Sequence, residues 1–477
     1  MHSASRRSTP ALLVACLLVA LALPAQGFVV PAEGECPPYP VRPGGGDAPP
    51  GEDVVPPLLA PGTVLDLKGA PRLEGFLPRE VWERRDLFFY EGMQLEVGPC
   101  HRRYPAPAFF EEATERNAAT ARVDEEGNLL GYGGQGLPFA RETIPDDDLE
   151  AGQKWAWNVR YRYLGAGFRG PFRILHLRKR GRKVDRFEGT MTFLPLHGVP
   201  GAVDEKTRFA WAGKFRSPEA ARGVAWRQYR PAETDTDWRY PDETFVYVPE
   251  ERRVRRAPPG DVDGLFVPSY MRGAITGGGK LVLPDGMIST PDPSIGVGEN
   301  WRRGFVGLLI RPNAYQFKVR EVRDVIAPIN ARRAGYPQTK DRSYGSSGLS
   351  LATDRWEIRR AVVIDGVRRS ALGKLSRLTL WVDALTAQPL YMVTHRPNGL
   401  VYEVGIFMGS YSGDDKGRAL WDGNGESFGA ILPVAESFWV IADQSWLRES
   451  FDLRMNPLTA DERRDVIDTF TLQKEGH

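Results

Sequence analysis

Histidine and cysteine are scarce in this sequence of 477 residues, six of one and three of the other. Beyond His2 the histidines are His101, His176, His197, His395 and His477. No two of them stand at a metal-binding helical spacing and there is no His-Glu-x-x-His, which argues against a zinc enzyme. A charge excess is also missing, since 63 Lys+Arg face 61 Asp+Glu. A nucleic-acid footprint needs a basic surplus to displace counterions from phosphates, so that class of partner is excluded. Gly345-Ser346-Ser347-Gly348 lacks the spacing of a nucleophile elbow and sits in a Gly/Ser loop. Thr276-Gly277-Gly278-Gly279-Lys280 lacks the leading glycine of a phosphate-binding loop and reads as a turn. Asp414-Asp415, the Asp261/Asp263 pair and Asp292-Pro293-Ser294 fall in turns, where solvated carboxylates are the default. The sequence implies no cofactor and no metal, and the expectation is a protein that is not an enzyme.

Long apolar runs are absent after the first 27 residues. Those begin with Arg6 and Arg7, continue in an uninterrupted apolar run over 11–23, and end in Pro24 and the small-x-small pattern Ala25-Gln26-Gly27. This predicts a signal peptide over 1–27, a mature chain starting near Phe28 and a periplasmic location. Leu13-Val14-Ala15-Cys16 also fits a lipoprotein box. The apolar run continues past Cys16, where a lipidated terminus turns polar, so anchoring there is the weaker reading. No second stretch approaches the roughly 20 apolar residues of a spanning helix, so the mature protein is expected to be soluble and not membrane-spanning. Cleavage removes Arg6 and Arg7 and leaves 61 basic against 61 acidic residues. The basic run Lys179-Arg180-Gly181-Arg182-Lys183 then reads as a solvated hairpin tip. Cys36 and Cys100 remain as candidates for one disulfide in an oxidising compartment, a pairing that spacing alone does not decide.

What is present is punctuation. Residues 31–61 are dense in proline and glycine and read as an arm. Two helices are expected next, over 79–90, where Val81, Trp82, Arg85, Phe88 and Phe89 recur at helical spacing, and over 106–119. Tight turns follow at 124–128, Arg180-Gly181, 249–251, Asp365-Gly366 and 397–399, each flanked by β-branched or aromatic alternation. In 377–383, Leu378, Leu380 and Val382 face one way while Thr379, Trp381 and Asp383 face the other. Sequential hairpins predict an antiparallel meander. The roughly 450 residues beyond Gly27 exceed one ordinary flat sheet, so the sheet should curl strongly or split into two curled parts. Residues 155–163 alternate like a strand, yet Asp146-Asp147-Asp148 ahead of them is a helix-start pattern. A helix beginning near Asp147 is expected, its end open. Thr459-Ala460-Asp461-Glu462 is a capping box that starts a last helix running to about Phe470.

The segment 241–258, PDETFVYVPEERRVRRAP, is a hairpin whose second strand, 252–256, holds four arginines. A strand so charged needs at least one face open to water or to a negatively charged ligand. Apolar and aromatic side chains recur along one face of successive strands: Phe245 and Tyr247, Trp356 and Ile358, Trp381, Tyr391, Tyr402, Phe407 and Tyr411. They are either ordinary core or the lining of a curved sheet too wide for its own side chains to fill.

The blocks 112–139, DLEAGQKWAWN at 148–158, FVYVPEERRVRRAP at 245–258, RPNAYQFKVR at 311–320, WEIRRAVVIDG at 356–366 and LTAQPLYMVTHRPNGLVYEV at 385–404 resemble, in kind and order, the exported family known as domain-of-unknown-function 1329. That family is similar to outer-membrane lipoprotein-sorting proteins of the LolA/LolB type, and the resemblance runs from about Pro61 to the C-terminus. It implies an α+β, mainly β fold: one large, strongly curved antiparallel sheet, a half-open barrel, with a few helices packed on it. It also implies a periplasmic setting beside lipid-exporting membrane pumps. The family brings no catalytic residues. What carries over by position is the arginine hairpin, Arg252, Arg253, Arg255 and Arg256.

The expected organisation is a leader (1–27), a Pro/Gly-rich arm (28–62) and a single domain (63–477) with a helical part over about 76–120. The expected function is a non-enzymatic carrier or chaperone for a lipid or a lipoprotein acyl chain, in outer-membrane biogenesis or lipid transport. An inner-membrane lipid exporter or an outer-membrane protein would be its partner. Candidate ligand contacts are Phe245, Tyr247, Arg255, Arg256, Trp356, Trp381 and Phe407. The alternative is an envelope sensor or assembly factor that binds a protein through the curved sheet. An enzyme acting on glycans or lipids is a third reading, which would need two carboxylates converging in a cleft.

Overall fold

The computed structural model describes residues 28–37, 59–145, 147–177, 184–198, 206–249, 251–257, 265–268, 274–276, 280–282, 288–289, 309–332, 350–369, 376–414, 420–421, 427–441, 444–454 and 460–475. The expected leader with Cys16, the middle of the arm, the basic tip at 179–183, the acids at 261, 263, 292 and 415, the glycines at 277–279, the loop at 345–348 and Thr459 lie outside the described residues.

Fifteen strands form one sheet. In chain order they are β1 (Val64–Leu65), β2 (Leu95–Val97), β3 (Phe168–Leu177), β4 (Val184–Pro195), β5 (Thr207–Ser217), β6 (Ala225–Pro231), β7 (Glu243–Val248) and β8 (Arg253–Ala257). Then come β9 (Tyr315–Ala327), β10 (Arg355–Arg368), β11 (Arg377–Asp383), β12 (Pro389–His395), β13 (Val401–Tyr411), β14 (Ile431–Val440) and β15 (Ser445–Phe451). Side by side they run β1-β2-β10-β11-β12-β13-β14-β15-β3-β4-β5-β6-β7-β8, and β9 lies along the same edge of β10 as β2. Two antiparallel meanders are thus joined where β15 pairs with β3, Phe451 opposite Phe172 and Trp446 opposite Leu177. One pair, β2 with β10, is parallel. Of the two architectures left open by the sequence, one continuous sheet is observed, and it is not closed.

The expected turns at 124–128, 249–251 and 397–399 are present: Gly127 N–H donates to Asp124 O, Arg252 N–H to Pro249 O, and Gly399 N–H to Arg396 O. Asp365-Gly366 is not a turn. Strand β10 runs straight through it, with Lys318 opposite Asp365 and Phe317 opposite Gly366. The glycine serves close packing there, because a Cβ on it would stand 2.4 Å from the Phe317 ring.

The single helix expected over 79–90 is two single turns, α1 (Arg79–Trp82) and α2 (Arg85–Phe88), broken at Arg84 with φ −122°. The break lets both Phe88 and Phe89 enter the core, Phe88 edge-on to Trp446 at 5.1 Å. Packing overrides propensity in so short a helix. Helix α3 (Ala108–Asn117) falls inside its expected span. The ambiguous stretch is helix α4 (Ala151–Tyr161), preceded by a turn in which Asp148 accepts from the Glu150 amide and pairs with Lys154 at 2.5 Å. Two short helices, α5 (Ala460–Ile467) and α6 (Thr471–Glu475), close the chain.

Both faces of the sheet are covered. On one, residues 59–104 pack Leu73, Phe76, Phe88 and Phe89 against Trp356, Trp381 and Tyr391. Helices α5 and α6 cover β4 to β8. The opposite, inner face holds α4, and Leu378, Leu380 and Val382 point to it as their alternation predicts. The chain segments 265–267 and 309–310 lie in the same core, as does Phe28, which packs edge-on to Trp155 at 5.8 Å. The start of the expected arm is therefore docked, and a disulfide joins Cys36 to Cys100.

Curvature follows from α4 itself. Arg162, its C-cap, donates to Gln388 at the start of β12, while Arg160 lies over Phe209 of β5. Those strands stand six positions apart in the sheet, about 29 Å if it were flat. Residues two apart on one chain reach both, so the sheet winds around the helix.

Candidate functional site: the hollow at the end of the internal helix

Helix α4 is buried nearly all round, with only Lys154 and Tyr161 partly exposed. Its buried polar side chains fix the neighbouring segments. Gln153 donates to Pro312 O at 2.8 Å and accepts from Phe317 N–H at 3.1 Å, which clips the helix to the start of β9. Asn158 donates to and accepts from the backbone of Phe139, and Trp157 donates to Gly127 O at 3.0 Å. Buried polar groups must be paired, so each of these residues fixes a position as well as filling space.

At the C-terminal end of α4 a hollow of about 70 Å³ opens between Arg160, Tyr161 and Tyr163, the loop 132–136, and Phe193, Arg208 and Phe209. The Tyr132 and Tyr161 rings meet at 4.4 Å, and Phe193 meets Phe209 at 5.4 Å. Tyr161 OH donates to Asp235, which also takes Arg208 Nε at 2.8 Å. Burial raises the Tyr161 and Tyr132 pKa values, so both phenols stay protonated. Gly134 has φ +82° and His197 presses on it so closely that a Cβ would overlap the ring, which packs the 132–136 loop against 197–198.

Two further hollows, each of about 30 Å³, adjoin this one. One shares Arg162 and Leu164 with the first and adds Phe407, Met408 and Leu432. The other shares Phe110 and Tyr163 and adds Leu137, Ala430 and Ile431. The three are arranged around residues 162–164. Among the described residues, α4, 265–267 and 309–310 occupy the inner face where the sequence reading contemplated a wide apolar cavity.

A buried ionic cluster backs the first hollow. Asp242 takes Arg230 at 2.8 Å and Arg311 at 2.7 Å, with Gln228 Nε2 at 2.6 Å. Burial pushes its pKa upward, but the two arginines and the hydrogen bonds outweigh burial and hold it at about 2. Arg230 in turn lies over the Phe209 ring at 5.1 Å, on a wall of the hollow.

The structure disperses the candidate contacts read from the sequence. Phe407 lines the second hollow. Trp356 and Trp381 are buried on the opposite face. Phe245 and Tyr247 pack around Ala225 and Leu472 beneath α6. Arg255 pairs with Glu251 at 2.6 Å and Arg256 with Glu243 at 3.0 Å on the surface of the hairpin. Arg160, Arg162, Tyr161 and Tyr163 read in the sequence only as the polar and aromatic members of an alternation. The available signal is KWAWNVRYRY: Trp155 and Trp157 bury two sides of the helix, and the arginines that follow, Arg160 and Arg162, are carried inside with it. Among the described residues no group of three His, Cys, Asp or Glu is placed to hold a metal, and no helix is long and apolar enough to cross a membrane.

Fold and site together define a β protein whose large open sheet is wound around an internal helix, with an apolar, arginine-bearing hollow at the helix end. Residues 86–271 match the family described as "Protein of unknown function (DUF1329)". The match takes in the blocks at 112–139, 148–158 and 245–258; those at 311–320, 356–366 and 385–404 lie beyond it, so it is narrower than the resemblance read from the sequence. No curated protein matches. Similar solved structures include a domain from Vibrio parahaemolyticus described as that of an outer-membrane lipoprotein-sorting protein, 12% identical, covering 68% of this chain and 100% of that one, with a TM-score of 0.40. A DUF1329 family protein from Desulfovibrio piger is 12% identical over 68% of this chain and 99% of its own, TM-score 0.40. A LolA-superfamily protein from Nitrosomonas europaea is 10% identical over 65% and 93%, TM-score 0.32. Likeness at this level leaves function to be argued from the site.

Proposed function

We propose that this chain is a periplasmic, non-catalytic carrier or chaperone for a lipid or the acyl part of a lipoprotein, acting in outer-membrane biogenesis or lipid transport. The observation that supports the reading is the set of three adjoining hollows around residues 162–164, walled by Phe110, Phe193, Leu164, Phe407 and Ile431. Each is well below the roughly 300 Å³ at which drug-sized ligand pockets begin, so loading requires them to merge. The side chains they share are Phe110, Arg162, Tyr163 and Leu164. Ligand affinity would come from apolar area removed from water, at about 25 cal/mol per Å².

Mass spectrometry of lipid extracts from the purified protein tests this, together with titration by a fluorescent fatty acid. Bound lipid or saturable uptake is expected; protein that is reproducibly empty and also refuses the probe would refute the carrier reading. One observation favours the second reading, a module that binds a protein partner. Residues 265–267 lie on the inner face with Trp211 Nε1 donating to Phe266 O and Phe266 N–H donating to Gln228 Oε1, both at 2.7 Å. Gripping a backbone in this way would suit any extended peptide. Cross-linking in intact cells that captures a protein complex without lipid would favour it.

A further inference from the structure

Five arginines surround the end of α4, and four of them have partners. Arg208 is paired with Asp235, and Arg230 and Arg311 share Asp242. Arg162 donates to Gln388 Oε1 at 2.8 Å and to Val159 O at 2.6 Å. Arg160 differs. It is 6% exposed, it lines the 70 Å³ hollow, and its Nη2 has no hydrogen-bond acceptor among the described residues. It forms no ion pair with any of them; its neighbours are the faces of Tyr161 at 5.0 Å and Phe209 at 5.5 Å.

A guanidinium cannot shed its charge in a protein, so burial without a counter-ion is a standing penalty that a bound anion would relieve. Burial does pull the Arg160 pKa down, with Arg230 and Arg208 acting in the same sense against Tyr161 and Asp235. Water could fill the hollow, but it would bring no charge. The local count favours an anion: five guanidiniums face the three carboxylates of Asp235, Asp242 and, beside Arg162, Glu436.

We infer that the hollow at the end of α4 is a binding site for a small oxyanion, a carboxylate or phosphate, with the Arg160 guanidinium as its counter-charge. The site stands on the unpaired arginine. That the anion is the head of an amphiphile, its chain lying past Tyr163 and Leu164, rests on the carrier reading. The apolar walls Phe110, Phe193 and Phe209 suit such a ligand, since they would face the first carbons behind the head group.

The test uses the full mature chain and three probes: inorganic phosphate, laurate, and dodecanol as the uncharged analogue of laurate. Phosphate, compared with chloride at equal ionic strength, should raise the thermal midpoint of the wild type and leave Arg160→Met unmoved. Laurate should bind about tenfold tighter than dodecanol, as a charge-assisted bidentate contact would give. Arg160→Met should erase that preference while keeping dodecanol affinity. If phosphate acts and neither amphiphile binds, the oxyanion is a free one: the site holds and the carrier reading fails. If phosphate has no effect while laurate outbinds dodecanol through Arg160, the anion is the head group. An arginine with a purely structural role would instead make Arg160→Met less stable and leave any phosphate effect intact, which overturns the proposal. Should that variant not fold, the wild type decides: a thermal midpoint that phosphate does not raise, together with laurate binding no tighter than dodecanol, overturns the proposal equally.

Discussion

Replacing Asp242 by asparagine should be among the most damaging single changes to the wall behind the hollow. Asp242 holds Arg230 and Arg311, which are 1% and 2% exposed, and Arg311 also donates to Trp238 O and Tyr240 O, tying the 309–311 segment to the loop before β7. The neutral amide leaves two buried guanidiniums without a counter-ion, and breaking a buried pair in this way costs about 3–5 kcal/mol. A second magnitude comes from protonation. A carboxyl held from its usual 3.8 down to about 2 in the folded chain stabilises it by roughly 2 kcal/mol once both states are ionised.

Because the folded-state pKa is the depressed one, that stabilisation is complete above pH ~4, shrinks as the pH falls from ~4 towards ~2, and is about half gone near pH 3. The amide of the Asp242→Asn variant has no such proton to take up. The wild type should therefore exceed Asp242→Asn by about 3–5 kcal/mol near neutrality, and the gap should narrow on acidification. Urea unfolding followed by tryptophan fluorescence, at about pH 7, 5, 4 and 3, measures both quantities. A deficit under about 1 kcal/mol at neutrality, or a gap that does not change between about pH 5 and 3, would refute the reasoning.

Reducing the Cys36–Cys100 disulfide, which closes a separation of 64 residues, should lower stability by up to about 4 kcal/mol through restored chain entropy, seen as a reductant-dependent fall in the thermal midpoint. Phe28→Ala should cost about 3 kcal/mol, because the ring is 9% exposed and packs on Trp155; an unchanged urea midpoint would mean that the docked N-terminal segment contributes nothing. Leu164→Trp adds volume between two of the hollows and should reduce fatty-acid uptake about tenfold at little change in fold, read by probe titration and circular dichroism.

The parts of this fold legible in the sequence are those set by short-range rules. The turns at 249–251 and 397–399, helix α3 and the two-sided alternation of Leu378, Leu380 and Val382 all depend on residues a few positions apart. Where the reading failed, distant packing decides. Gly366 resembled a turn glycine because the Phe317 ring that needs its missing side chain comes from another strand. The 79–90 helix is interrupted at Arg84, and beyond the break Phe88 packs on Trp446, far along the chain. The pairing of β15 with β3 is equally non-local, joining residues 172 and 451. Arg255 and Arg256 invited a head-group role by composition, and their carboxylate partners, Glu251 and Glu243, sit within the same hairpin.

Why aromatic residues pointed to no single surface follows from the geometry of the sheet. Fifteen strands have two faces to bury, and here both are buried: Trp356, Trp381 and Tyr391 serve the side covered by residues 59–104, Tyr247 the side under α6, and Phe407 the side of α4. Apolar residues on each strand are thus required by covering alone, whatever the protein binds. The features that distinguish one place from another are polar groups where covering would exclude them. Helix α4 concentrates these, and three of them, Gln153, Trp157 and Asn158, are accounted for by the backbone they hold. Arg160 lies over the Tyr161 and Phe209 rings, but its Nη2 has no acceptor among the described residues, and it lines the first hollow. Two ring faces do not replace a counter-ion for a buried guanidinium, and a bound oxyanion would supply one.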